Sequence, residues 1–242
     1  MFFFDKLLLY FYNKNGGYNS RWICHYLKTD AGIQDILGVT KRNEINNRIC
    51  LVTVFLGAND ASDEKLNPRH HVPINEYQSN LKYIVNTIKA HSPSNVRIII
   101  ISPPPVHHEG RLNYQITRYG VDKATGELER NMTLSKKYAD AATTVAQELN
   151  LPILNLWEEM QKNNNWGEEY LCDGLHFTPE GNKFVGECLQ KLINHKFPEL
   201  KLVECPHTGY WGNSSTVSDV DKLAPWHDEI DYKDIDAAFS SA

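Results

Sequence analysis

Two short apolar runs dominate the hydrophobic pattern of the chain and predict strands of a parallel sheet. Residues 49–56 (ICLVTVFL) and residues 96–101 (VRIIII) are rich in β-branched side chains and are bounded by turn-forming residues. Strands that are buried on both faces show such continuous apolar runs instead of alternation. A third run, residues 151–156 (LPILNL), predicts another strand, with Pro152 near its start, where a missing N–H is tolerated.

Helical patterns alternate with these strands. Residues 74–91 carry apolar side chains at helical spacing, and Pro93 ends the pattern. Residues 134–149 are rich in alanine and other good helix formers. Residues 179–197 begin with proline at the first helical position, after Thr178 as the expected N-cap. This strand–helix alternation predicts an α/β layered fold with a parallel sheet.

Composition narrows the class of protein. A chain of 242 residues is long enough for one sizeable α/β domain. The net charge of -5, without blocks of lysine or arginine, argues against a nucleic-acid partner. No apolar run is long enough to span a membrane. The five cysteines are widely scattered and lack the spacing of a zinc or redox motif, so we expect reduced thiols in a cytoplasmic protein.

The apolar opening, residues 1–12, raises the question of a secretory signal. It lacks an excess of positive charge at its start, Asp5 and Lys6 interrupt the apolar run, and no small-residue cleavage site follows. We therefore interpret the segment as a buried strand.

The first motif whose residues could take part in a reaction is residues 57–60 (GAND), directly after the strand predicted at residues 49–56. Ligands of parallel sheets bind at the carboxyl ends of strands. The small Gly-Ala pair lets a substrate approach the backbone, and the Asn59 amide is a neutral donor suited to stabilising an oxyanion. The alternative interpretation is a tight turn in which Asn59 and Asp60 cap the next helix.

The second motif is residues 173–176 (DGLH), before the last predicted helix. An aspartate three residues before a histidine can accept the imidazole Nδ1–H, which leaves Nε2 free to take a proton from a nucleophile. Gly174 gives the backbone the freedom for this bend. The alternatives are a surface loop with a chance histidine, and metal ligation, which the absence of other clustered ligands argues against.

Together the two motifs resemble those of the SGNH (GDSL-type) hydrolase family in order and separation, and most closely those of its isoamyl acetate-hydrolysing esterase branch. The resemblance extends from about Gly16 to about Asp231. Three further segments look like that branch: residues 16–22 (GGYNSRW), residues 101–105 (ISPPP) and residues 225–227 (PWH).

The resemblance implies a carboxylic-ester hydrolase that acts on small acyl, acetate-type esters, without metal or organic cofactor. Asp173 and His176 would correspond to the acid and base, Asn59 to the side-chain oxyanion donor, and Gly17 to the backbone oxyanion donor. The implied fold is a three-layer α/β/α sandwich with a flavodoxin-like, five-stranded parallel sheet. The implied domain plan is a divergent segment at 1–15, the hydrolase domain at 16–200, and a C-terminal extension packed on it at 201–242.

The family's first block, Gly-Asp-Ser with the nucleophilic serine, has no counterpart here, because residues 1–15 contain no serine. We therefore expect the first strand to be absent unless residues 1–12 supply it. Three other serines are considered as substitutes: Ser20, Ser62 and Ser102. The resemblance implies that Ser20 lies at the start of a helix, and Ser62 and Ser102 follow strand ends, so we expect all three to be cap or turn residues.

Three hypotheses follow for the function, in order of preference. The first is an active esterase whose nucleophile block is missing from this sequence. The second is a non-catalytic family member that binds ligands or partners in the remaining cleft. The third is direct activation of water by His176. Residues 105–126 are expected to form a loop that borders the cleft, or else a solvated surface loop.

Overall fold

The computed structural model describes residues 17–39, 44–46, 49–200, 230–231 and 233–235. Its strands are β1 (Leu51–Phe55), β2 (Arg97–Ile101) and β3 (Ile153–Leu154). Its α-helices are α1 (Ser20–Tyr26), α2 (Asp30–Leu37), α3 (Ile74–Ala90), α4 (His108–Tyr119), α5 (Met132–Glu148), α6 (Leu156–Met160), α7 (Trp166–Glu169) and α8 (Pro179–Lys196).

Within the described residues the sheet has three parallel strands in the order β1-β2-β3. Val52 lies opposite Ile98, and Ile100 lies opposite Ile153. Helices connect the strands, as parallel pairing requires. The predicted α/β class with a parallel sheet is therefore confirmed.

The sheet separates two hydrophobic cores, because successive side chains of a strand point to opposite faces. On one face, Ile98 and Ile100 pack with helices α1, α2, α3 and α5. On the other face, Ile99 and Ile101 pack with helices α6 and α8. Helices on both faces of the sheet make the three layers that the resemblance implied.

The third strand is shorter than predicted. We expected it to cover residues 151–156, but it ends at Leu154. The side chain of Asn155 accepts a hydrogen bond from the Glu158 backbone N–H and begins α6, which draws Leu156 into a helix. Asn155 thus acts as an N-cap, whereas its place in an apolar run had suggested a strand.

The predicted helices are confirmed within a residue or two, as α3, α5 and α8. Thr178 is the expected N-cap of α8, since its side chain accepts from the Gly181 backbone N–H. The loop expected over residues 105–126 is wrong for most of its length, because α4 occupies its centre. Helix α4 is polar and largely exposed, so its apolar spacing was a weak signal.

Helix α2 was not predicted, and of α1 only the start at Ser20 was implied by the resemblance. Asn19 caps α1 by accepting from the Trp22 N–H, and Thr29 caps α2 by accepting from the Gly32 N–H. The strand expected at residues 1–12 lies outside the described residues, and so do residues 201–229 of the expected C-terminal extension. Ile230 is fully buried in the core that contains α1 and α3. The domain boundaries stay a prediction.

Candidate active site

The turn after β1 brings the first motif to the carboxyl end of the sheet. Gly57 has a φ of 120°, and a Cβ there would lie 2.6 Å from the Tyr77 hydroxyl oxygen. That hydroxyl donates to the Leu56 carbonyl oxygen at 2.9 Å. Only glycine fits this position, which explains the small residue at the start of the motif.

Asn59 is held by two hydrogen bonds that fix the orientation of its amide. Its Nδ2 donates to the Tyr18 carbonyl oxygen at 3.0 Å, and its Oδ1 accepts from Arg130 Nη2 at 2.8 Å. An asparagine amide has two N–H bonds, so one remains for a ligand. Gly17, which has a φ of 86°, directly precedes Tyr18 in the chain.

Asp60 is fully buried and binds the first backbone N–H of α1, and not the start of a helix that follows it in the chain. Both of its carboxylate oxygens accept from the Ser20 backbone N–H, at 3.0 and 3.2 Å, where α1 begins. Burial raises the pKa of Asp60 from 3.8 to about 6, against the opposing effect of the Ser20 hydrogen bonds. Asp60 therefore connects the first motif to α1 across 40 residues.

The second motif forms a tight turn in which Asp173 accepts four hydrogen bonds. Its Oδ1 accepts from the backbone N–H groups of Leu175, at 3.0 Å, and His176, at 2.8 Å. Its Oδ2 lies 2.8 Å from His176 Nδ1 and 3.1 Å from Arg111 Nη1. Burial acts to raise the pKa of Asp173. The hydrogen bonds that it accepts from the backbone N–H and the imidazole of His176 outweigh this effect and keep the pKa below its ordinary value.

Gly174 makes the turn possible. It has a φ of 77°, and a Cβ there would lie 2.4 Å from the His107 carbonyl oxygen and 2.5 Å from the Arg111 nitrogen. The Gly174 carbonyl oxygen accepts from the His107 N–H at 2.9 Å. The start of α4 is therefore packed directly against the second motif.

His176 presents its second ring nitrogen to solvent. Its side chain is 73% exposed, and its Nε2 makes no hydrogen bond to any residue that the structure describes. An antiparallel bridge between Leu171 and Phe177, together with the bond from the Cys172 N–H to the His176 carbonyl, holds the turn. The pair thus has the geometry of a general base oriented by a carboxylate.

The three serines considered as substitutes are all fully buried. The Ser20 hydroxyl accepts from Asn80 Nδ2 at 3.0 Å, and the Ser62 hydroxyl donates to the Asn59 carbonyl oxygen at 2.9 Å. The Ser102 hydroxyl lies 3.3 Å from Asn155 Oδ1. Each hydroxyl is therefore engaged in a structural hydrogen bond, which is local in sequence for Ser62 but joins distant segments for Ser20 and Ser102.

Three charged residues that the sequence did not single out lie between the two motifs. The Arg111 guanidinium contacts both Asp173 and Glu129, while the Arg130 guanidinium contacts Glu129, Asn59 and the Ala58 carbonyl. These contacts span up to 72 residues, so no local spacing reveals them. Attraction to both arginines keeps the pKa of Glu129 low despite its burial, and burial lowers the pKa of Arg130 to about 10.

Among the described residues, no three histidine, cysteine, aspartate or glutamate side chains are grouped to hold a metal ion. In the same part of the chain, no helix is both long and apolar enough to cross a membrane.

A three-layer parallel α/β fold with an aspartate–histidine pair and an asparagine amide at its loops fits a hydrolase of the three-layer α/β/α type. The family model described as GDSL-like Lipase/Acylhydrolase matches residues 16–189. The chain therefore belongs to this family of carboxylic-ester hydrolases, as the resemblance of its motifs indicated.

Relatives of known name agree with this assignment. A GDSL esterase/lipase of Arabidopsis thaliana is 36% identical over 195 residues, which cover 79% of this chain and 76% of the relative. The isoamyl acetate-hydrolyzing esterase 1 homolog of Homo sapiens is 34% identical, over 77% of this chain and 69% of the relative. An acetylxylan esterase from Geobacillus stearothermophilus matches in structure with a TM-score of 0.51, at 15% identity, over 73% of this chain and 68% of that one. This last match supports the fold alone.

Proposed function

We propose that this protein hydrolyses small acyl esters, with His176 as general base and Asp173 as its orienting carboxylate. The observation that carries the proposal is the 2.8 Å contact between Asp173 Oδ2 and His176 Nδ1. It fixes the ring so that Nε2 faces solvent, where it can take the proton of an attacking hydroxyl.

In this proposal Asn59 and Gly17 stabilise the negative charge on the substrate oxygen. The second N–H of the Asn59 amide and the backbone N–H of Gly17 are the two donors. The hydrogen bond from Asn59 to the Tyr18 carbonyl oxygen supports the pairing, because it connects the two segments that supply the donors. Neither donor depends on a protonation state.

The substrate class in the proposal is acetate-type esters of small alcohols. It is motivated by the relative from Homo sapiens whose name refers to isoamyl acetate. A cytoplasmic location and the absence of a nucleic-acid partner stay predictions of the sequence.

We assign the nucleophile to none of the three buried serines, because their hydroxyls are engaged and out of solvent. Three arrangements fit the site as described. A serine outside the described residues completes it, the chain is a non-catalytic family member that binds ligands or partners in the same cleft, or His176 activates water directly.

The test compares hydrolysis of nitrophenyl acetate by the purified 242-residue chain and by a version extended with any in-frame sequence upstream of Met1. We expect His176→Ala and Asp173→Asn each to lower kcat by roughly three to four orders of magnitude in whichever version turns over. His195→Ala, at the exposed end of α8, is the control and should keep wild-type turnover.

Turnover that survives His176→Ala would contradict the assigned base. If both versions are folded but inert, the chain is a binding protein of hydrolase ancestry. In that case, ester analogues should be screened for binding by NMR.

A further inference from the structure

A continuous chain of charged contacts joins the proposed oxyanion donor to the proposed base. From Asn59 Oδ1 it runs to Arg130 Nη2 at 2.8 Å, and from Arg130 Nη1 to Glu129 Oε1 at 3.7 Å. From Glu129 it passes through Arg111 to Asp173 Oδ2, which lies 2.8 Å from His176 Nδ1. Glu129 is the midpoint, because both arginines contact its Oε1.

The arginines of this set of charges are buried and its carboxylates are largely buried, so the charges are tolerable only as a set. The side chains of Arg111, Arg130 and Asp173 are 6%, 7% and 14% exposed, and that of Glu129 is 21% exposed. Two cations face two anions, Glu129 and Asp173, and removal of any one leaves an unpaired charge out of water. Buried ion pairs add little net stability compared with apolar side chains of the same volume, so stability alone does not account for this set.

Each arginine fixes one functional group. Arg130 donates to Asn59 Oδ1 and to the Ala58 carbonyl oxygen, which forces Asn59 Nδ2 to face the other way. Arg111 donates to the same Asp173 oxygen that accepts the hydrogen bond from the imidazole Nδ1–H, so it helps to fix the position of that oxygen and offsets its charge. The planar guanidinium suits both tasks, since its donors form a rigid fork.

We propose that Arg111 and Arg130 are positioning residues of the ester-hydrolysing site, and that Glu129 couples them so that the oxyanion donor and the base are set together. The inference rests on the proposed function for its catalytic meaning. Its physical content, the coupling of Asn59 to His176 through Glu129, can be measured without turnover.

The decisive variant is Glu129→Gln, which keeps the shape of the side chain and removes its charge. Its backbone bond, from the Asp63 N–H to the Glu129 carbonyl oxygen, is unaffected. The set then holds one anion, Asp173, against two arginines, so one positive charge is uncompensated. We expect the NMR signal of the His176 Nδ1 proton to shift, because the charge balance around Asp173 changes. We also expect the Asn59 side-chain amide resonances to shift, although Glu129 contacts neither residue.

Glu148→Gln is the matched control, because Glu148 forms an exposed ion pair with Lys82 on the surface between α3 and α5. It should leave both signals at their wild-type positions. A lower melting temperature in Glu129→Gln, with both signals unmoved, would mean that the set is only structural and would overturn the proposal.

If Glu129→Gln does not fold, Arg111→Lys provides the second test, since it keeps the charge and loses the fork. The Asn59 amide should still shift, and a change confined to His176 would contradict the coupling. In a version that turns over, Glu129→Gln should lower kcat by roughly 10- to 100-fold with KM within about twofold. Shifted signals without turnover in any version would leave the coupling standing and reject the ester-hydrolase function.

Discussion

At the scale of single residues, the site depends on side chains that several hydrogen bonds hold in one orientation. Asp173 accepts four hydrogen bonds, and Asn59 uses both ends of its amide. The types and spacing of these residues could be predicted from sequence, because an aspartate–glycine–x–histidine turn closes on itself locally. The contacts of three other residues could not be predicted from sequence, because they form only when distant segments of the chain meet. These residues are Arg111, Glu129 and Arg130.

Asp60 should make stability depend on pH in a defined direction. Its pKa is about 6 in the folded protein and 3.8 ordinarily, so the folded state binds this proton more tightly than the unfolded chain does. Its contribution to stability is therefore complete below pH 3.8 and is lost as pH rises through 6, by up to about 3 kcal/mol.

The measurement is the free energy of unfolding in urea between pH 4 and 7.5, for wild type and Asp60→Asn. The free energy of unfolding of wild type, relative to that of Asp60→Asn, should fall as Asp60 ionises and become constant above pH 7. Asp63→Asn, in an exposed turn, is the control and should run parallel to wild type. A pH-independent difference for Asp60→Asn would mean that Asp60 is not the titrating group.

Gly174→Ala should disrupt the second motif. The substitution places a Cβ within 2.5 Å of two backbone atoms at a φ of 77°, so the turn must shift. We expect a loss of stability of about 1–3 kcal/mol and loss of the His176–Asp173 contact, seen in the NMR signal of the Nδ1 proton. Gly186→Ala in α8 meets nothing within 4 Å and should be neutral or stabilising by up to about 1 kcal/mol. Equal effects of the two substitutions would refute this steric argument.

At the scale of elements, the boundaries of helices are set by caps that the sequence partly discloses. Thr178 precedes a proline and was recognisable as an N-cap, whereas Asn155 lies inside an apolar run and was not. Helix α4 escaped prediction because its exposed surface has almost no apolar face. Sequence periodicity reports burial, and elements with little burial give little signal.

Thr178→Ala should loosen the start of α8 and the turn before it. The Thr178 hydroxyl accepts from the Gly181 N–H at 3.0 Å and donates to the Glu169 carbonyl oxygen at 2.6 Å. We expect a loss of about 0.5–2 kcal/mol in urea unfolding and faster amide exchange at His176. Thr178→Ser keeps both hydrogen bonds, so its free energy of unfolding should lie close to that of wild type. If Thr178→Ser were as unstable as Thr178→Ala, the methyl group of Thr178 would matter more than its hydrogen bonds.

At the scale of the whole molecule, β2 belongs to both cores. Ile99 faces one core and Ile100 the other, and both are fully buried. The run of four isoleucines in β2 predicted burial on both faces, but the partners on each face could not be derived from it. Those partners come from helices far away in the chain, such as α1 and α8.

Because one strand is common to both cores, we expect the described domain to unfold in a single transition. Ile99→Ala and Ile100→Ala should each cost about 2–5 kcal/mol. With 5-fluorotryptophan, Trp22 reports on the first core and Trp166 on the second, and both signals should move together in each variant. Val121→Ala, at a site 74% exposed, should change little. Separate transitions of Trp22 and Trp166 would show that the cores unfold independently.

The Asp173–His176 contact spans three residues, whereas the Asn59–Tyr18 contact spans 41. Contact order therefore differs sharply between the two sides of the site. The entropy of closing a loop grows with its length, so the short turn can form early and repeatedly in a chain that is still unfolded. The proposed base, His176, would then be oriented long before the proposed oxyanion donor, Asn59, and completion of the site during folding would wait for helices α1 and α2 to dock.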